Sequence, residues 1–430
     1  MRVLVVGATG LIGSAVAARL KQDGHEVVGV ARALGQLTRR VPADRWIALE
    51  LRRATEPAAW APHLEGVDAV VNSAGTLQDS ARDSTRAVHD AAPRALWRAC
   101  EGAGVRRIIH FSAMGVDRGA LTRFSETKRE GDHGLEESGL DWVILRPSVV
   151  VGRPAYGGSA LFRGLAALPI LPRTPDAGPL EIVQLDDVAE TVARLLHSGA
   201  ASRVALELSG PEPLTFEEVV AAYRAWLGWR PARLVSVPGW TMAALYRLGD
   251  LVSRLGWRPP IRTTARREIV RGAVGDNREW TRLTGIVPQS LHAALAAEPA
   301  SVQERWFARL YFLKPVALGT FILFWLATCL VSLGPGYGLA AAYMRRAGAG
   351  ALSEPSVIAG ALTDLIVACL IAWRPTARLG LFAALAVSLF YVAAGTWLLP
   401  GLWVDPLGPM MKIWPILALN LLCLAMLDER

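Results

Sequence analysis

Residues 1–31 read MRVLVVGATGLIGSAVAARLKQDGHEVVGVA, and this stretch predicts the fold of the N-terminal half of the chain. Val3–Val6 is a short apolar run, typical of a buried parallel strand. The glycine turn Gly7–Gly13 follows directly, and helical apolar spacing then predicts a helix over Ser14–Asp23. His25–Ala31 predicts a second strand. The order strand, glycine turn, helix and strand is that of a dinucleotide-binding βαβ unit.

Each glycine of this turn has a separate physical role. Gly7 permits the tight turn, Gly10 lets the backbone approach a pyrophosphate, and Gly13 lets the helix pack close to the strand. The free N–H groups at the helix N-terminus, together with the helix dipole, then favour the phosphates. The predicted cofactor-binding residues in the turn are Gly7, Thr9, Gly10, Leu11, Ile12 and Gly13.

The residue that follows the second strand bears on the choice of cofactor. An acidic residue there would bind the ribose 2′-hydroxyl of NAD, whereas this chain has Arg32 and no acid before Asp44. A guanidinium suits a 2′-phosphate, so the sequence favours NADPH over NADH. Arg39 and Arg40 are positioned in the sequence to assist. The alternative is that Arg32 is an ordinary solvated surface residue.

Further motifs occur in the order found in the extended and atypical short-chain dehydrogenases/reductases. They are GATGLIG at 7–13, Glu50-Leu51 at the end of the third strand segment, VVNSAG at 70–75, IIHFS at 108–112, RPSVVVG at 146–152 and DDVA at 186–189. Over roughly residues 1–295 the chain resembles this superfamily, and within it the NmrA-like proteins and the nucleotide-binding accessory subunit of respiratory complex I. The resemblance implies a doubly wound parallel Rossmann sheet. It also implies that Leu51, Ser73, Ala74, Gly75 and Pro147 line the cofactor, that 146–152 is a loop near the nicotinamide, and that Ser112 is an active-site residue.

The catalytic motif departs from the superfamily pattern at one position. The superfamily has Tyr-x-x-x-Lys on one helix face, where the tyrosine exchanges a proton and the lysine holds the nicotinamide ribose. Here the segment reads FSETK, with Phe124 in the tyrosine position and Lys128 in the lysine position. Three alternatives follow: another acid acts, from among Ser112, Ser125 and Asp132; hydride transfer proceeds without strong acid help; or the domain only binds NADPH. Lys128 serves as a ribose ligand in all three, and His110 is predicted to be a satisfied core histidine.

The middle of the chain predicts a small helical lobe on the substrate side. Residues 153–180 are rich in Gly and Pro and offer Tyr156, Phe162 and Arg163 as candidates for lining a pocket, with core or surface packing as an equal alternative. Residues 213–300 are rich in tryptophan and suggest helices with short loops. Aromatic residues in this number fit either an apolar ligand or ordinary packing, and nothing in the stretch specifies a substrate.

The C-terminal part has the composition of a membrane domain. Four apolar segments are predicted to be spans: Val316–Leu333, Val357–Trp373, Leu379–Leu399 and Ile413–Leu427. Basic residues precede the first span and lie between the second and third, which predicts that both termini are on the cytoplasmic side. Arg345, Arg346 and Lys412 weaken that bias. The tail, about residues 305–427, resembles the DoxX-like membrane family in span count and general character.

Two polar residues lie near the centres of predicted spans. Asp364 is costly in hydrocarbon and is therefore expected to face a bundle interior or a site. Asn420 lies at the centre of the fourth span, and the two are predicted to be at similar depth and able to hydrogen-bond. Such a pair would be either a polar niche for a quinone head group or proton step, or a contact that only joins helices.

The composition of the chain limits the classes of ligand and partner that we expect. The chain has 430 residues, is 52% hydrophobic and has a net charge of +8. Because the arginines are scattered, nucleic-acid binding is not expected, and attraction to an anionic leaflet explains the charge more simply. The four cysteines lack metal-ligand spacing, so neither a metal site nor a disulfide framework is predicted.

Together these features predict three regions: a Rossmann domain at 1–212, a helical lobe at 213–300 and a four-span membrane domain at 301–430. The predicted function is that of a membrane-anchored NADPH-dependent oxidoreductase, with Ser112 and Lys128 as catalytic residues and a lipophilic or quinone-like substrate. The alternative is a non-catalytic NADPH-binding sensor or assembly protein. The lipid bilayer is the expected partner, no protein partner is specified, and the expected location is the inner membrane with a cytoplasmic N-terminal domain.

Overall fold

The computed structural model describes residues 1–79, 84–119 and 122–427. The chain folds as two compact units. The first comprises Met1–Asp250 and Pro259–Ala308, and the second comprises Leu251–Arg258 and Arg309–Arg430.

The chain alternates strands and helices up to about residue 235 and is helical from there on. The strands are β1 (Arg2–Val6), β2 (Glu26–Ala31), β3 (Arg45–Ala48), β4 (Ala69–Asn72), β5 (Arg107–Phe111), β6 (Asp141–Pro147), β7 (Val149–Val151), β8 (Ile170–Pro172), β9 (Leu180–Gln184), β10 (Val204–Leu208), β11 (Pro213–Leu214) and β12 (Arg233–Val235). The helices up to residue 297 are α1 (Leu11–Gln22), α2 (Gln36–Arg39), α3 (Ala92–Ala103), α4 (Arg123–Glu136), α5 (Gly157–Ala166), α6 (Leu185–Leu195), α7 (Phe216–Trp226), α8 (Gly239–Arg254), α9 (Thr263–Arg271), α10 (Arg278–Thr284) and α11 (Leu291–Ala297). The remaining helices are α12 (Val302–Leu333), α13 (Tyr337–Arg346), α14 (Ser353–Ala372), α15 (Ala377–Leu398) and α16 (Ile413–Met426).

Seven strands form one sheet in the order β10-β6-β5-β4-β1-β2-β3, and all its pairings are parallel. Val3 and Val5 face one buried cluster while Leu4 and Val6 face another, so β1 is covered on both sides. The strand order reverses between β1 and β4. Ligands of open α/β sheets bind in the crevice outside the carboxyl ends of the strands at such a point. The predicted doubly wound parallel sheet is confirmed.

Two local predictions about the sheet were wrong. The third strand ends at Ala48, so Glu50-Leu51 lies in the turn beyond it. The 146–152 segment is not a loop: Arg146 and Pro147 end β6, and Val149–Val151 forms β7, which pairs in parallel with β9. The β-branched run at 149–151 suits a strand, and pairing with β9 supplies hydrogen bonds that a loop would have left to water.

Helices α5 and α7 share a core of aromatic side chains. Phe162 stacks with Tyr223, and the Arg163 guanidinium lies over the rings of Tyr223 and Trp226. Arg163 also donates to the carbonyl oxygen of Gly152 at 2.7 Å. Phe162 and Arg163 are both buried, so of the two alternatives the structure supports packing for these residues.

The described residues include three helices long and apolar enough to cross a membrane: α12, the stretch Gly350–Ala372 that includes α14, and α15. Their shared core includes Phe321 and Trp325 of α12, Ile371 of α14 and Leu381 of α15, with Cys423 of α16. Helix α16 has only 14 residues, which is about 21 Å and shorter than a hydrocarbon core of about 30 Å. The membrane-type helices are confirmed, whereas the fourth span stays a prediction.

The predicted pairing of Asp364 with Asn420 was wrong. Asp364 accepts a hydrogen bond from the Tyr391 hydroxyl at 3.2 Å, whereas Asn420 donates its amide to the carbonyl oxygen of Leu381 at 3.1 Å. Both partners lie on α15, ten residues apart, which is about 15 Å along a helix axis. The two polar groups therefore lie at different depths.

Candidate dinucleotide and active site

The glycine turn brings the ends of β1 and β4 into backbone contact. Gly7 has a φ of +79°, and a Cβ atom there would lie 2.9 Å from the Ala74 backbone. A Cβ atom on Gly13 would overlap the Gly7 carbonyl oxygen and lie 2.6 Å from Ser73 Oγ. Gly10 precedes α1 without a side-chain cap, so the first N–H groups of the helix point toward the crevice. This geometry fits a pyrophosphate at the helix N-terminus.

The turn after β4 supports the same crevice. The Ser73 hydroxyl donates to the Val6 carbonyl oxygen at 2.9 Å, and the amide oxygen of Asn72 accepts from the Ala74 N–H at 3.2 Å. These bonds fix the path of the chain past the end of β1. Ser73 and Ala74 therefore lie where a cofactor would pass, with the serine hydroxyl already bound to the backbone.

The adenosine end of the crevice is bordered by β2 and β3. Arg32 directly follows β2 and is exposed, and Arg39 and Arg40 are also exposed. Leu51 is half-buried and packs against the cluster that lies under β1 and β2. These positions match the predicted 2′-phosphate and adenine contacts, which stay predictions.

Lys128 is the central charged group of the site. Its side chain is buried, and Nζ donates to the carbonyl oxygen of Phe111 at 2.7 Å and to that of Ala74 at 3.4 Å. Burial lowers the pKa of Lys128 to about 8, and nearby Asp132 opposes that shift. A Cβ atom on Gly75 would lie 3.7 Å from Nζ. The missing side chain thus keeps Gly75 from covering the ammonium, and the role of Lys128 as a ligand of the nicotinamide ribose stays a prediction.

Phe124 presents a ring where the superfamily places a proton donor. The ring makes an edge-to-face contact with His89, with centroids 5.4 Å apart. His89 is itself occupied: Nε2 accepts from the Thr76 N–H at 3.0 Å, and Nδ1 lies 2.8 Å from Thr127 Oγ1. Burial is the main reason that the pKa of His89 lies well below its usual value, with Lys128 adding repulsion. His89 is therefore neutral and does not replace a tyrosine.

The Ser112 hydroxyl donates to Asp132 Oδ2 at 2.8 Å, inside a buried network. The Arg146 guanidinium contacts the same oxygen, with Nη2 at 3.2 Å, and reaches Asp117 Oδ2 with Nη1 at 2.5 Å. Burial raises the pKa of Asp132 to about 6, against the lowering effect of these partners. Because Asp132 is four residues after Lys128 on α4, the network lies one turn from the ammonium. The catalytic role of Ser112 stays a prediction, and its observed contact is with Asp132.

His110 is buried, as predicted, but only one of its ring nitrogens is satisfied. Nδ1 lies 3.1 Å from Asn72 Nδ2, so the amide donates and the ring proton resides on Nε2. Nε2 points at Asp132 Oδ1 from 3.6 Å, beyond hydrogen-bond distance, and both atoms lack a partner among the described residues. Burial lowers the pKa of His110 well below its usual value, so the ring is neutral.

A cavity of about 160 Å³ adjoins the first turn of α4 through Arg271. It is lined by Met114, Gly115, Arg118, Gly119, Pro179, Arg271, Gly272 and Val274. Arg271 donates to Ser125 Oγ at 2.6 Å and is paired with Glu268, and Thr122 Oγ1 lies 2.5 Å from Glu268. Ser125 is therefore bonded to α9 and buried. The cavity is a candidate for the substrate side of the site.

The sequence named Ser112 and Asp132 separately, but it did not predict that they form one buried network with Arg146. It also did not predict that α9 contributes to the site. Asp132 lies four residues after Lys128, and that spacing was a usable signal for one shared helix face. Glu268 and Arg271 follow α4 by more than 130 residues, and no local pattern connects them to Ser125. Among the described residues, no cluster of His, Cys, Asp or Glu could coordinate a metal ion.

Two families match separate parts of the chain. The family described as NAD(P)H-binding matches residues 7–198, and the family described as DoxX-like matches residues 322–421. The first match contains the glycine turn, Lys128 and the Asp132 network. The second lies within the unit that holds the three long apolar helices.

Curated relatives match the nucleotide-binding part. A (4-alkanoyl-5-oxo-2,5-dihydrofuran-3-yl)methyl phosphate reductase of Streptomyces griseus is 30% identical over 54% of this chain and 75% of its own length. A ceramide reductase of Caulobacter vibrioides is 24% identical over 55% of this chain and 73% of its own. An uncharacterized protein of Mycobacterium bovis is 28% identical over 52% of this chain. The matched region covers only 23% of that relative's own length.

Solved structures share the fold of the first unit. A Bordetella bronchiseptica enzyme in complex with NAD superposes with a TM-score of 0.54 at 18% identity, over 72% of this chain and 96% of its own. At that identity the likeness concerns the fold alone.

Proposed function

This chain belongs to the NAD(P)H-binding Rossmann family and carries a DoxX-like membrane domain, and on that basis we propose that it is a membrane-anchored NADPH-dependent reductase of a lipophilic substrate. The observation that carries the proposal is the buried Lys128 ammonium, held at the carboxyl ends of β4 and β5 beside Gly75. A catalytic lysine in this place holds the cofactor ribose and supplies positive charge beside the reacting atoms.

The chain's own residues supply binding and a proton. The glycine turn would hold the pyrophosphate of the cofactor and Lys128 its nicotinamide ribose, and the hydride would come from the cofactor when it is bound. Reduction of a carbonyl also requires a proton at oxygen, and Phe124 has none to give. Lys128 fits that role because its pKa of about 8 leaves the ammonium acidic near neutral pH. Asp132 lies one helical turn after Lys128 on α4. The hydrogen bond from the Ser112 hydroxyl to Asp132 helps to orient that helix.

The substrate is proposed to be an apolar molecule with a reducible carbonyl or quinone-like group. The described part of the chain has three apolar helices suited to a membrane, which supports a substrate supplied at a lipid surface. Two relatives are named as reductases of a ceramide and of an alkanoyl-bearing compound, which supports a substrate with an alkyl chain. We propose that the protein lies in the inner membrane with the nucleotide-binding unit in the cytoplasm, where NADPH is available. The basic residues in the first part of α12, Arg305, Arg309 and Lys314, favour that side.

We expect Arg32 to discriminate between NADPH and NADH. In Arg32→Ala the Kd for NADPH should rise about 10- to 100-fold, because a charge-assisted bond to the 2′-phosphate is worth about 1.5–3 kcal/mol. The Kd for NADH should change less than about twofold. Isothermal titration of both cofactors measures this. Arg98→Ala, which removes the same charge from an exposed site on α3, is the matched control; equal losses for both cofactors would contradict NADPH preference.

The reductase proposal is tested with the full chain in proteoliposomes. NADPH absorbance is followed with a panel of long-chain ketones, ceramide-type ketones and quinones, for the wild type and for Phe124→Tyr. We expect turnover on at least one acceptor and faster turnover in the variant, because tyrosine restores a proton donor at the position where the superfamily has one. Tight NADPH binding with no turnover by either protein would overturn it.

A second function is favoured by Phe124 itself. A protein that keeps the glycine turn and the lysine but lacks the usual proton donor is suited to bind NADPH without consuming it. Such a chain would act as a redox sensor or as an assembly protein at the membrane. The acceptor panel separates the two functions, because a sensor binds NADPH and leaves every acceptor unreduced.

A further inference from the structure

Helix α8 carries an apolar stripe on its exposed side. Its members are Trp240, Ala244, Leu248, Leu251 and Leu255, which we call the α8 stripe. Their spacing of four, four, three and four residues places them on one helix face. Trp240 is 72% exposed, and Leu248 and Leu251 are more than half exposed. Exposure of such a surface to water would be unfavourable, so the stripe is built to be covered.

The opposite side of α8 packs on the protein. A Cβ atom on Gly249 would overlap the Ile261 carbonyl oxygen, so the helix is pressed against that segment. Asp250 is 3.7 Å from Arg262, and Tyr246 is half-buried. The orientation of α8 is therefore fixed, and the stripe faces away from the segment that holds it.

Basic residues lie along one edge of the stripe. Arg247 and Arg254 are exposed and occupy the flank of the same face, and Arg258 follows the helix. A helix with tryptophan and leucine on one face and arginine beside them is typical of the bilayer interface, where arginine meets anionic headgroups.

The segment that ends α8 is joined to the end of a membrane helix, within the second unit. The Trp257 indole N–H donates to the carbonyl oxygen of Ala372, the last residue of α14, at 2.8 Å. The backbone N–H of Arg374 donates to the Leu255 carbonyl oxygen at 3.0 Å, and the Arg374 guanidinium lies over the Trp257 ring at 5.3 Å. Tryptophan and arginine at the end of an apolar helix mark the membrane–water boundary. The stripe therefore ends, at Leu255, on a segment bonded to that boundary.

From these contacts we infer that α8 lies in the bilayer interface, with the α8 stripe among the lipid acyl chains and its arginines at the headgroups. The occupant of the stripe is lipid of the membrane that holds α12, α14 and α15. This inference does not depend on the reductase activity, because it concerns only where α8 lies.

The test uses the full chain in proteoliposomes with a fluorescent label at one cysteine. Leu248→Cys and Leu251→Cys are each made in a Cys369→Ala background, because Cys369 is the exposed native cysteine among the described residues. Arg98→Cys on α3 is the matched control. Size-exclusion chromatography selects folded protein, and having two stripe positions guards against failure of either variant.

At both stripe positions we expect the fluorescence emission of the label to be shifted to the blue. Lipid-attached spin labels should quench it severalfold more than they quench the label at position 98, and iodide should quench it little. Adding phosphatidylglycerol to phosphatidylcholine vesicles should deepen the lipid quenching, since the arginines attract anionic headgroups. Iodide quenching equal to that of the control would overturn the inference. Protection from both quenchers would also overturn it, because a protein surface would then cover the stripe.

Discussion

Replacing Lys128 by methionine is expected to lower kcat/KM for NADPH-dependent reduction by about 10²–10⁴-fold, the range for loss of a positioned acid. Methionine keeps most of the side-chain volume but removes the ammonium that bonds to Phe111 and Ala74. Steady-state kinetics with the best acceptor measures the effect. A loss of less than about tenfold, in protein that still binds NADPH, would contradict the proposed role of Lys128.

The pH profile separates chemistry from structural damage at this position. Burial lowers the pKa of Lys128 to about 8, so the ammonium is present below that pH and is lost as the pH rises through it. The wild-type kcat/KM should therefore be level below about pH 8 and fall toward tenfold per pH unit above it. Lys128→Met should show no such limb. If the substitution only destabilised the enzyme, the pH profile would keep its wild-type shape and kcat/KM would be lower at every pH.

A single methyl group on Gly13 is expected to raise the Kd for NADPH at least about 100-fold, or about 2.7 kcal/mol. The new Cβ atom would overlap the Gly7 carbonyl oxygen and lie 2.6 Å from Ser73 Oγ. Because the first contact is with backbone, the turn has to open and its N–H groups leave the phosphates. Titration of the nucleotide into Gly13→Ala and the wild type measures the loss.

Gly102→Ala is the matched control for that substitution. Gly102 also lies in a helix, α3, but a Cβ atom there would meet nothing within 4 Å. Alanine should leave the Kd unchanged and stabilise the helix by up to about 1 kcal/mol. If Gly13→Ala bound NADPH as tightly as this control, the glycine turn would not be the pyrophosphate site.

The sheet was predictable because its signals are local. An apolar strand, a glycine turn and an amphipathic helix within thirty residues admit few other folds, and β1, α1 and β2 appear within a few residues of the predicted bounds. The position of Lys128 on α4 was predictable for the same reason, since it depends on spacing along one helix, while its role stays a prediction. The network of Asp132 with Arg146 was less visible, because it joins a helix to the end of β6.

The polar residues of the membrane domain show why other predictions failed. Asp364 and Asn420 each lie near the middle of an apolar segment, but sequence gives no vertical offset between helices of different length. Their contacts with Tyr391 and Leu381 fix that offset, and these come from packing. The α8 stripe was likewise not predicted, since its segment is notable in the sequence only for its tryptophans. Which side chains of a helix are exposed depends on how the folded chain packs.

The most direct test of the central claim is transfer of deuterium from NADPH to a lipid acceptor. The full chain in proteoliposomes is given NADPH deuterated at nicotinamide C4, on either face, with the ketone acceptor that supports the fastest turnover, because deuterium on the carbinol carbon of the product does not exchange with water, and the extracted lipid is analysed by mass spectrometry. A membrane-anchored reductase predicts one deuterium on the former carbonyl carbon of each product molecule from one of the two labelled cofactors, and label that appears at least about 100-fold more slowly with Lys128→Met. Stoichiometric NADPH binding without deuterium in any lipid product would contradict the account and leave a protein that binds its cofactor without using it.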